Sequence, residues 1–244
     1  MKMLKTLVAS AVLAMSTGAF AATVLPGNET PLQDVINNLY TQGGTPTSAA
    51  PNVNANQSGA QLFQIEASGG SIATMVIAIA GNAGSNTFGI YDPYNTATTL
   101  QLFAGGISGG SLVTLSVNDS NQFQVGSTTV QFSSSTFGYY LTGPGGTFYS
   151  QANLNGGNEQ MVSYQGDGDK IKLPTRPAAV WGPSSYLLAW EDQSLTGDSD
   201  KDYNDMVIYV ESVTKVPEPG SLALLGLGLS GLAFVSRRKQ KNAK

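Results

Sequence analysis

Tyr186-Leu187-Leu188-Ala189-Trp190 and Met206-Val207-Ile208-Tyr209-Val210 are two apolar runs that flank the densest charged stretch of the chain, Glu191-Asp192-Gln193-Ser194-Leu195-Thr196-Gly197-Asp198-Ser199-Asp200-Lys201-Asp202-Tyr203-Asn204-Asp205. Both runs are rich in aliphatic and aromatic residues and read as strands. In the second, Val207 and Tyr209 alternate with Met206, Ile208 and Val210, the period of a strand with two distinct faces. The two runs are placed to pair as a hairpin, which puts six of the sixteen acidic residues into its connecting loop.

Working outward, similar runs recur at Gln61–Glu66, Ile72–Ala80, Asn86–Tyr91, Thr98–Phe103, Ser111–Val117, Gln122–Gly126, Thr128–Ser133, Phe137–Leu141 and Gln160–Gln165, and the last apolar run extends to Val213. Gly-Gly, Asn-Asp-Ser and Gly-Pro-Gly-Gly punctuate them. Many short strands with frequent turn residues predict an all-β domain, a β-sandwich or jelly roll, over residues 61–215. One helix precedes it. Thr30 suits an N-cap, Pro31 suits the first helical position, Leu32, Val35, Ile36 and Leu39 follow at helical spacing, and Gly43-Gly44 ends the pattern. Residues 22–60 therefore read as a helix that docks its apolar stripe on the main body, followed by a Gly-, Pro-, Ser- and Asn-rich loop or linker over 42–59.

The two ends are of another kind. Residues 1–21 have Lys2 and Lys5, an apolar stretch from Leu7 to Met15, and Ala19-Phe20-Ala21 as a small-x-small cleavage site, the pattern of a secretory signal peptide. At the other end, Val216-Pro217-Glu218-Pro219 leads into an apolar run from Ser221 to Val235 and then Arg237-Arg238-Lys239-Gln240-Lys241. A turn, an apolar helix and a basic end are the parts of a membrane stop signal. At ~1.5 Å per residue the run falls short of a ~30 Å hydrocarbon core, which favours a transient anchor over a permanent span. The Pro217-Glu218-Pro219 triplet in this order, with Arg237 and Arg238 behind it, resembles the PEP-CTERM sorting tail of Gram-negative bacteria. That resemblance implies Sec-dependent export, cleavage near the triplet by an exosortase at the inner membrane, and delivery to the cell envelope, outer surface or medium. It also implies an association with exopolysaccharide and biofilm, and contact with membrane only through residues 216–244.

Charge narrows the remaining choices. Seven of the twelve basic residues lie outside 22–218, leaving five against sixteen acids, a net of −11. Such a surface argues against nucleic acid as a partner and suits cations. The chain has no cysteine and no histidine. Disulfides, histidine-based triads and the common histidine zinc sites are thereby excluded.

The acidic loop carries the chemistry. Carboxylates crowded into one loop repel unless a cation or water separates them, and Ca²⁺ takes six to eight oxygen ligands of the kind present here. Asp198, Asp200, Asp202 and Asn204 alternate as in the first half of an EF-hand, but Tyr203 and Tyr209 stand where that loop needs Gly and Glu. The expectation is a Ca²⁺ site built on a β-loop, with ligands from Asp198, Asp200, Asp202, Asn204 and Asp205 and with Glu191 or Asp192 reaching in. A solvated loop without metal is the plain alternative. Asp167-Gly168-Asp169 reads as a turn, and Trp181, Trp190 and the tyrosines at 139, 140, 149, 164 and 186 read as core in preference to a sugar-stacking face.

Trp190-Glu191-Asp192, the Gly-Asp loop and Asp202-Tyr203-Asn204-Asp205-Met206-Val207 resemble the end of a bacterial domain family known as domain of unknown function number 4114. Asn86-Thr87-Phe88-Gly89-Ile90-Tyr91, Phe137-Gly138-Tyr139-Tyr140-Leu141 and Thr147-Phe148-Tyr149-Ser150 are similar to it upstream, so the resemblance covers roughly 86–213. It implies that Glu191, Asp192, Asp200, Asp202, Asn204 and Asp205 form the family's acidic motif. The family has no settled activity. The leading expectation is a non-enzymatic surface or matrix protein stabilised by Ca²⁺. The alternatives are a glycan hydrolase using Glu191 and Asp205 as its carboxylate pair, and a carbohydrate-binding module.

Overall fold

The computed structural model describes residues 21–27, 29–43, 49–66, 71–77 and 84–217. In chain order these form helix α1 (Leu32–Gly43) and strands β1 (Leu62–Ile65), β2 (Ser71–Ile77), β3 (Thr87–Asp92), β4 (Asn95–Phe103), β5 (Leu112–Val117), β6 (Gln122–Val125), β7 (Thr128–Gln131), β8 (Phe137–Gly143), β9 (Gly146–Tyr149), β10 (Met161–Gln165), β11 (Lys170–Ile171), β12 (Ala179–Val180), β13 (Ser185–Trp190), β14 (Met206–Glu211) and β15 (Val213–Val216). The described residues are all-β apart from one α-helix and one 3-10 turn at Ala152–Asn155. The apolar run that would form the sorting helix lies outside the described residues, as do Ala19, Glu218, Pro219, Arg237 and Arg238.

Two antiparallel sheets make the body. One has the order β15-β1-β8-β3-β4 with β9 on the edge of β8, and the other runs β10-β13-β14-β2-β5-β6-β7. A main core lies between them. Phe63, Phe88, Ile90, Phe137, Tyr139 and Leu141 come from the six-stranded sheet, and Leu115, Phe123, Tyr186, Leu188, Trp190, Met206 and Ile208 from the seven-stranded one. The expected β13–β14 hairpin is present, with register Trp190↔Met206 through Ser185↔Glu211.

That hairpin is buried on both faces. Tyr186, Leu188 and Trp190 point into the sandwich. Leu187 and Ala189, with Val207 and Tyr209 of β14, form a second core with Leu32, Val35, Ile36 and Leu39 of α1. Burial on both sides explains why β13 and β14 are apolar almost throughout, a pattern more usual for strands covered on two faces. Tyr40 closes this layer: its ring meets Trp181 edge to face at 6.0 Å, and its hydroxyl donates to Asp167 at 2.6 Å. The Asp167-Gly168-Asp169 segment is a turn, with Gly168 at φ +97° and the Asp169 amide donating to Asp167 Oδ1 at 2.9 Å. Tyr139, Tyr140, Tyr164, Tyr186, Trp181 and Trp190 are all buried and offer no stacking face. Part of the stretch expected as linker is packed cover: Val53 is buried, and its carbonyl accepts the Tyr164 hydroxyl at 2.8 Å.

The end of β14 differs from the sequence reading, and β9, β11 and β12 are strands that it did not include. Met206–Val213 reads as a single strand, but the chain changes sheets inside it. β14 ends at Glu211, Ser212 adopts φ +60°, and β15 pairs with β1 of the opposite sheet. A left-handed residue between two strands redirects the chain in one step, and nothing in Glu-Ser-Val marks it, because glycine is the usual choice there. Serine already bears the cost of a side chain in this conformation, about 1–2 kcal/mol, and a β-branched residue tolerates it worse, so Ser212→Val is expected to destabilise the protein by about 1 kcal/mol more. Ser212→Gly should leave stability unchanged or raise it by up to about 1 kcal/mol. Urea unfolding midpoints of the two variants check this.

Candidate metal site

The loop begins at depth because the strand before it does. Trp190 is fully buried, and the next two residues, Glu191 and Asp192, are each only 1% exposed. Strand alternation carried one step past β13 sends them to opposite sides. Glu191 turns to the outer, helix-covered side, while Asp192 turns toward the sandwich end, where its Oδ2 accepts Asn86 Nδ2 at 2.9 Å.

On the Glu191 side the loop curls back. Lys201 and Tyr203 have φ +63° and +55°, values uncommon for non-glycine residues. The curl aims the Tyr203 amide at Glu191 Oε1, 2.6 Å away, while the Ser199 hydroxyl donates to Glu191 Oε2. Asp202 lies between the two left-handed residues. Its Oδ1 accepts the Asn204 amide at 3.2 Å, and its Oδ2 accepts Asn204 Nδ2 at 2.6 Å. One carboxylate oxygen each from Glu191, Asp200 and Asp202 lie within 4.8 Å of one another. Glu191 and Asp202 are buried and Asp200 is exposed, so the group has a floor and one side open to solvent. The Asn204 side chain, itself 1% exposed, donates a second bond to the Thr30 carbonyl at 2.9 Å. Its Oδ1 is buried without a hydrogen-bond partner.

The electrostatics follow from burial. Desolvation raises the Glu191 carboxyl above its ordinary range, and the charge on Asp200 adds to the rise, against the bonds from Ser199 and Tyr203. Burial also pushes Asp202 up to about 6, with Asp200, Glu191 and Glu29 contributing. Asp205 is pushed up to about 8, first by burial and then by Asp192, Glu191 and Asp202. Buried carboxylates at short range, next to an orphaned amide oxygen, are a donor set that a hard cation suits.

The seven expected ligands divide. Glu191, Asp200 and Asp202 come together, with Asn204 beside them. Asp192 and Asp205 pair with each other instead, through the Asp192 amide and Asp205 Oδ2 at 2.8 Å. Asp198 is exposed and is not in the group of three. Sequence reasoning missed Ser199, the Tyr203 amide and Asn86. It also missed Gly27 (φ +59°), where a Cβ would lie 2.0 Å from Asp202 Oδ2, so the N-terminal arm packs directly on the site. A neighbouring cavity of about 300 Å³ is lined by Ala22, Thr23, Gly157, Asn158, Glu159, Leu195, Lys201 and Tyr203. Neither Glu191 nor Asp205, the pair considered for glycan hydrolysis, lines it. Ala21 and Pro217 are exposed, and Pro217 directly follows β15.

Comparison with known proteins gives two family matches. The profile of the domain of unknown function DUF4114 matches residues 109–213, a shorter span than the 86–213 over which the sequence resemblance was drawn. The PEP-CTERM protein-sorting motif matches residues 215–239. Residues 109–213 are thus similar to DUF4114, and the sorting motif that follows marks the chain as exported and directed to the cell surface. No curated protein matches the chain. Among solved structures, the C-terminal domain of BC2L-C lectin from Burkholderia cenocepacia is similar at 14% identity over 65% of this chain and 97% of that one, with a TM-score of 0.28. At that score the similarity supports no inference about this chain. Among the described residues, no helix is long and apolar enough to cross a membrane.

A pH dependence follows from the raised carboxyls. Their folded pKa values exceed the ~3.9 of an unfolded Asp, so the folded protein holds their protons longer. The linked stability is full below pH ~4 and is lost as pH rises through ~6 and ~8. The melting temperature of the EDTA-treated protein is expected to fall between pH 5 and pH 8, and Asp205→Asn should flatten the upper half of the fall. A melting temperature that climbs across this window contradicts the assignment.

Proposed function

We propose that this protein is an exosortase-sorted surface or matrix component whose sandwich is clasped by a bound Ca²⁺, and that it works by binding and bridging, with exopolysaccharide as the partner. The sorting motif supports the destination. The Asn204 Oδ1 atom carries the metal reading: it is the one buried oxygen beside Asp202 left without a donor, next to two carboxylates, Glu191 and Asp202, that burial disfavours, with the exposed Asp200 beside them. Glu191, Asp200, Asp202 and Asn204 would supply the oxygens. The ion would contribute positive charge where the loop has concentrated negative charge. The chain's own part is to hold the four side chains in place through the Tyr203 amide, the Ser199 hydroxyl and the buried ends of β13 and β14.

A ligand that binds only the native form stabilises by about 2.7 kcal/mol at a free concentration 100 times its dissociation constant, or ~5–10 °C in melting temperature for a domain of this size. Ca²⁺ added to the EDTA-stripped protein is expected to raise the melting temperature by that order. Asp202→Ala should abolish the rise, while Asp198→Ala should keep it. An unchanged melting curve in millimolar Ca²⁺, with no heat of binding by calorimetry, removes the metal from this account.

The processing half is tested separately. Intact mass of the surface-located protein is expected to lack residues 1–21 and the basic tail. A mature chain that still ends at Lys244 would sink this half alone.

A further inference from the structure

The arm formed by residues 22–27 is held more tightly than an N-terminal tail needs to be. Gln57 Nε2 donates to the Ala22 carbonyl at 2.8 Å. Val24 is buried, and its backbone exchanges two bonds with the Asn54 side chain, at 2.8 and 3.1 Å. The Leu25 amide donates to the Lys201 carbonyl at 2.8 Å, and Gly27 packs on Asp202. The arm thus lies across the part of the acidic loop that gathers its carboxylates.

At the start of this arm, the Ala22 nitrogen donates to Glu159 Oε2 at 2.8 Å. Glu159 is half-buried, and its nearest polar link leads to the acidic loop. Its own carbonyl accepts the Tyr203 hydroxyl at 2.6 Å, and the Tyr203 amide is the donor to Glu191. Ala22, Glu159, Lys201 and Tyr203 all line the cavity of about 300 Å³, so the chain start at Ala22 has room beside it. Glu159 and Lys201 are the charged groups of that lining.

We infer that Glu159 is the receptor for the α-ammonium group created when the leader is removed after Ala21, so that export processing converts a hydrogen bond from an uncharged peptide N–H into an ion pair that fastens the arm over the acidic loop. This rests on residues 1–21 being a cleaved leader. The chemistry is a peptide-bond hydrolysis by a leader peptidase: water adds across the Ala21–Ala22 bond, Ala21 leaves as a carboxylate, and the Ala22 amine takes up a proton. One peptide N–H becomes three ammonium donors with a full positive charge, opposite a carboxylate already in reach. The carboxylate already makes this bond charge-assisted on the acceptor side, and cleavage adds a full charge on the donor side. Burial holds the Glu159 carboxyl above its ordinary range, against the Ala22 bond, and a cation at that position favours the ionised form.

The test uses the exported, processed protein. N-terminal sequencing first reads the cleavage site. The native protein is then treated with a limiting amount of an amine-acylating reagent, and modification of Ala22 is followed by mass spectrometry against the same protein in urea. In the native wild type the Ala22 amine is expected to react about tenfold more slowly than in urea, since an ion-paired bond of ~1.5 kcal/mol suppresses the free amine by that factor. In Glu159→Gln, which keeps shape and hydrogen bonding but not charge, most of the protection should disappear while the melting curve stays cooperative. If Glu159→Gln does not fold, the wild-type comparison decides. A start at Ala22 with an amine equally reactive in buffer and urea overturns the capture and leaves the leader reading intact. A start at any other residue overturns both.

Discussion

The hairpin of β13 and β14 is covered by the second sheet on one face and by α1 on the other, and most of the remaining structure answers to that enclosure. A strand buried on both sides has no wet face through which its polar continuation can escape. Glu191 and Asp192 follow Trp190 at a depth where a lone carboxylate would cost several kcal/mol. The molecule meets this with one partner from far away in sequence, Asn86 for Asp192, and two from the loop itself, the Tyr203 amide and Ser199 for Glu191. The left-handed turns at Lys201 and Tyr203 are the local cost of aiming those partners correctly. The helix is as necessary as the loop, because it keeps water from the outer face and so sets the depth from which the loop starts.

Much of the frame was legible because burial writes itself into the sequence as periodicity. The alternation of Val207 and Tyr209 against Met206, Ile208 and Val210 identified a strand with two packed faces, and Leu32, Val35, Ile36 and Leu39 identified the helix that covers one of them. The features that escaped have no periodicity to reveal them. The sheet change at Ser212 uses a residue that any turn or strand could contain. β11 and β12 are two-residue strands, too short to alternate. For the site, residue type was informative but grouping was not. Six acids in one loop announced a charge problem, and the three-dimensional solution separates Asp192 and Asp205 from Glu191, Asp200 and Asp202. That division follows from strand parity at Trp190. The tie to Asn86, 106 residues away, is a long-range fact that no local pattern contains.

The N-terminal arm ties the beginning of the described chain to the acidic loop. Thr30, Gly27 and Leu25 reach the acidic loop across more than 160 residues of sequence, 174 in the case of Thr30 and Asn204. The arm and the hairpin bracket the entire sandwich in sequence and meet at one place in space.

The exit of the chain has a mechanical meaning. β15 is an edge strand of four residues, paired with β1 from Leu62↔Val216 to Ile65↔Val213, and Pro217 leaves directly from its open end. Tension applied through the sorting segment would fall first on the Val216 end of that ladder. The strand would peel bond by bond, a low-force geometry in which each rung breaks alone. Beyond it lies Val213, fully buried in the main core, and then the bend at Ser212. The first few residues inside the tail therefore form a yielding section that can extend under shear, while the sandwich and the acidic loop behind Ser212 stay intact.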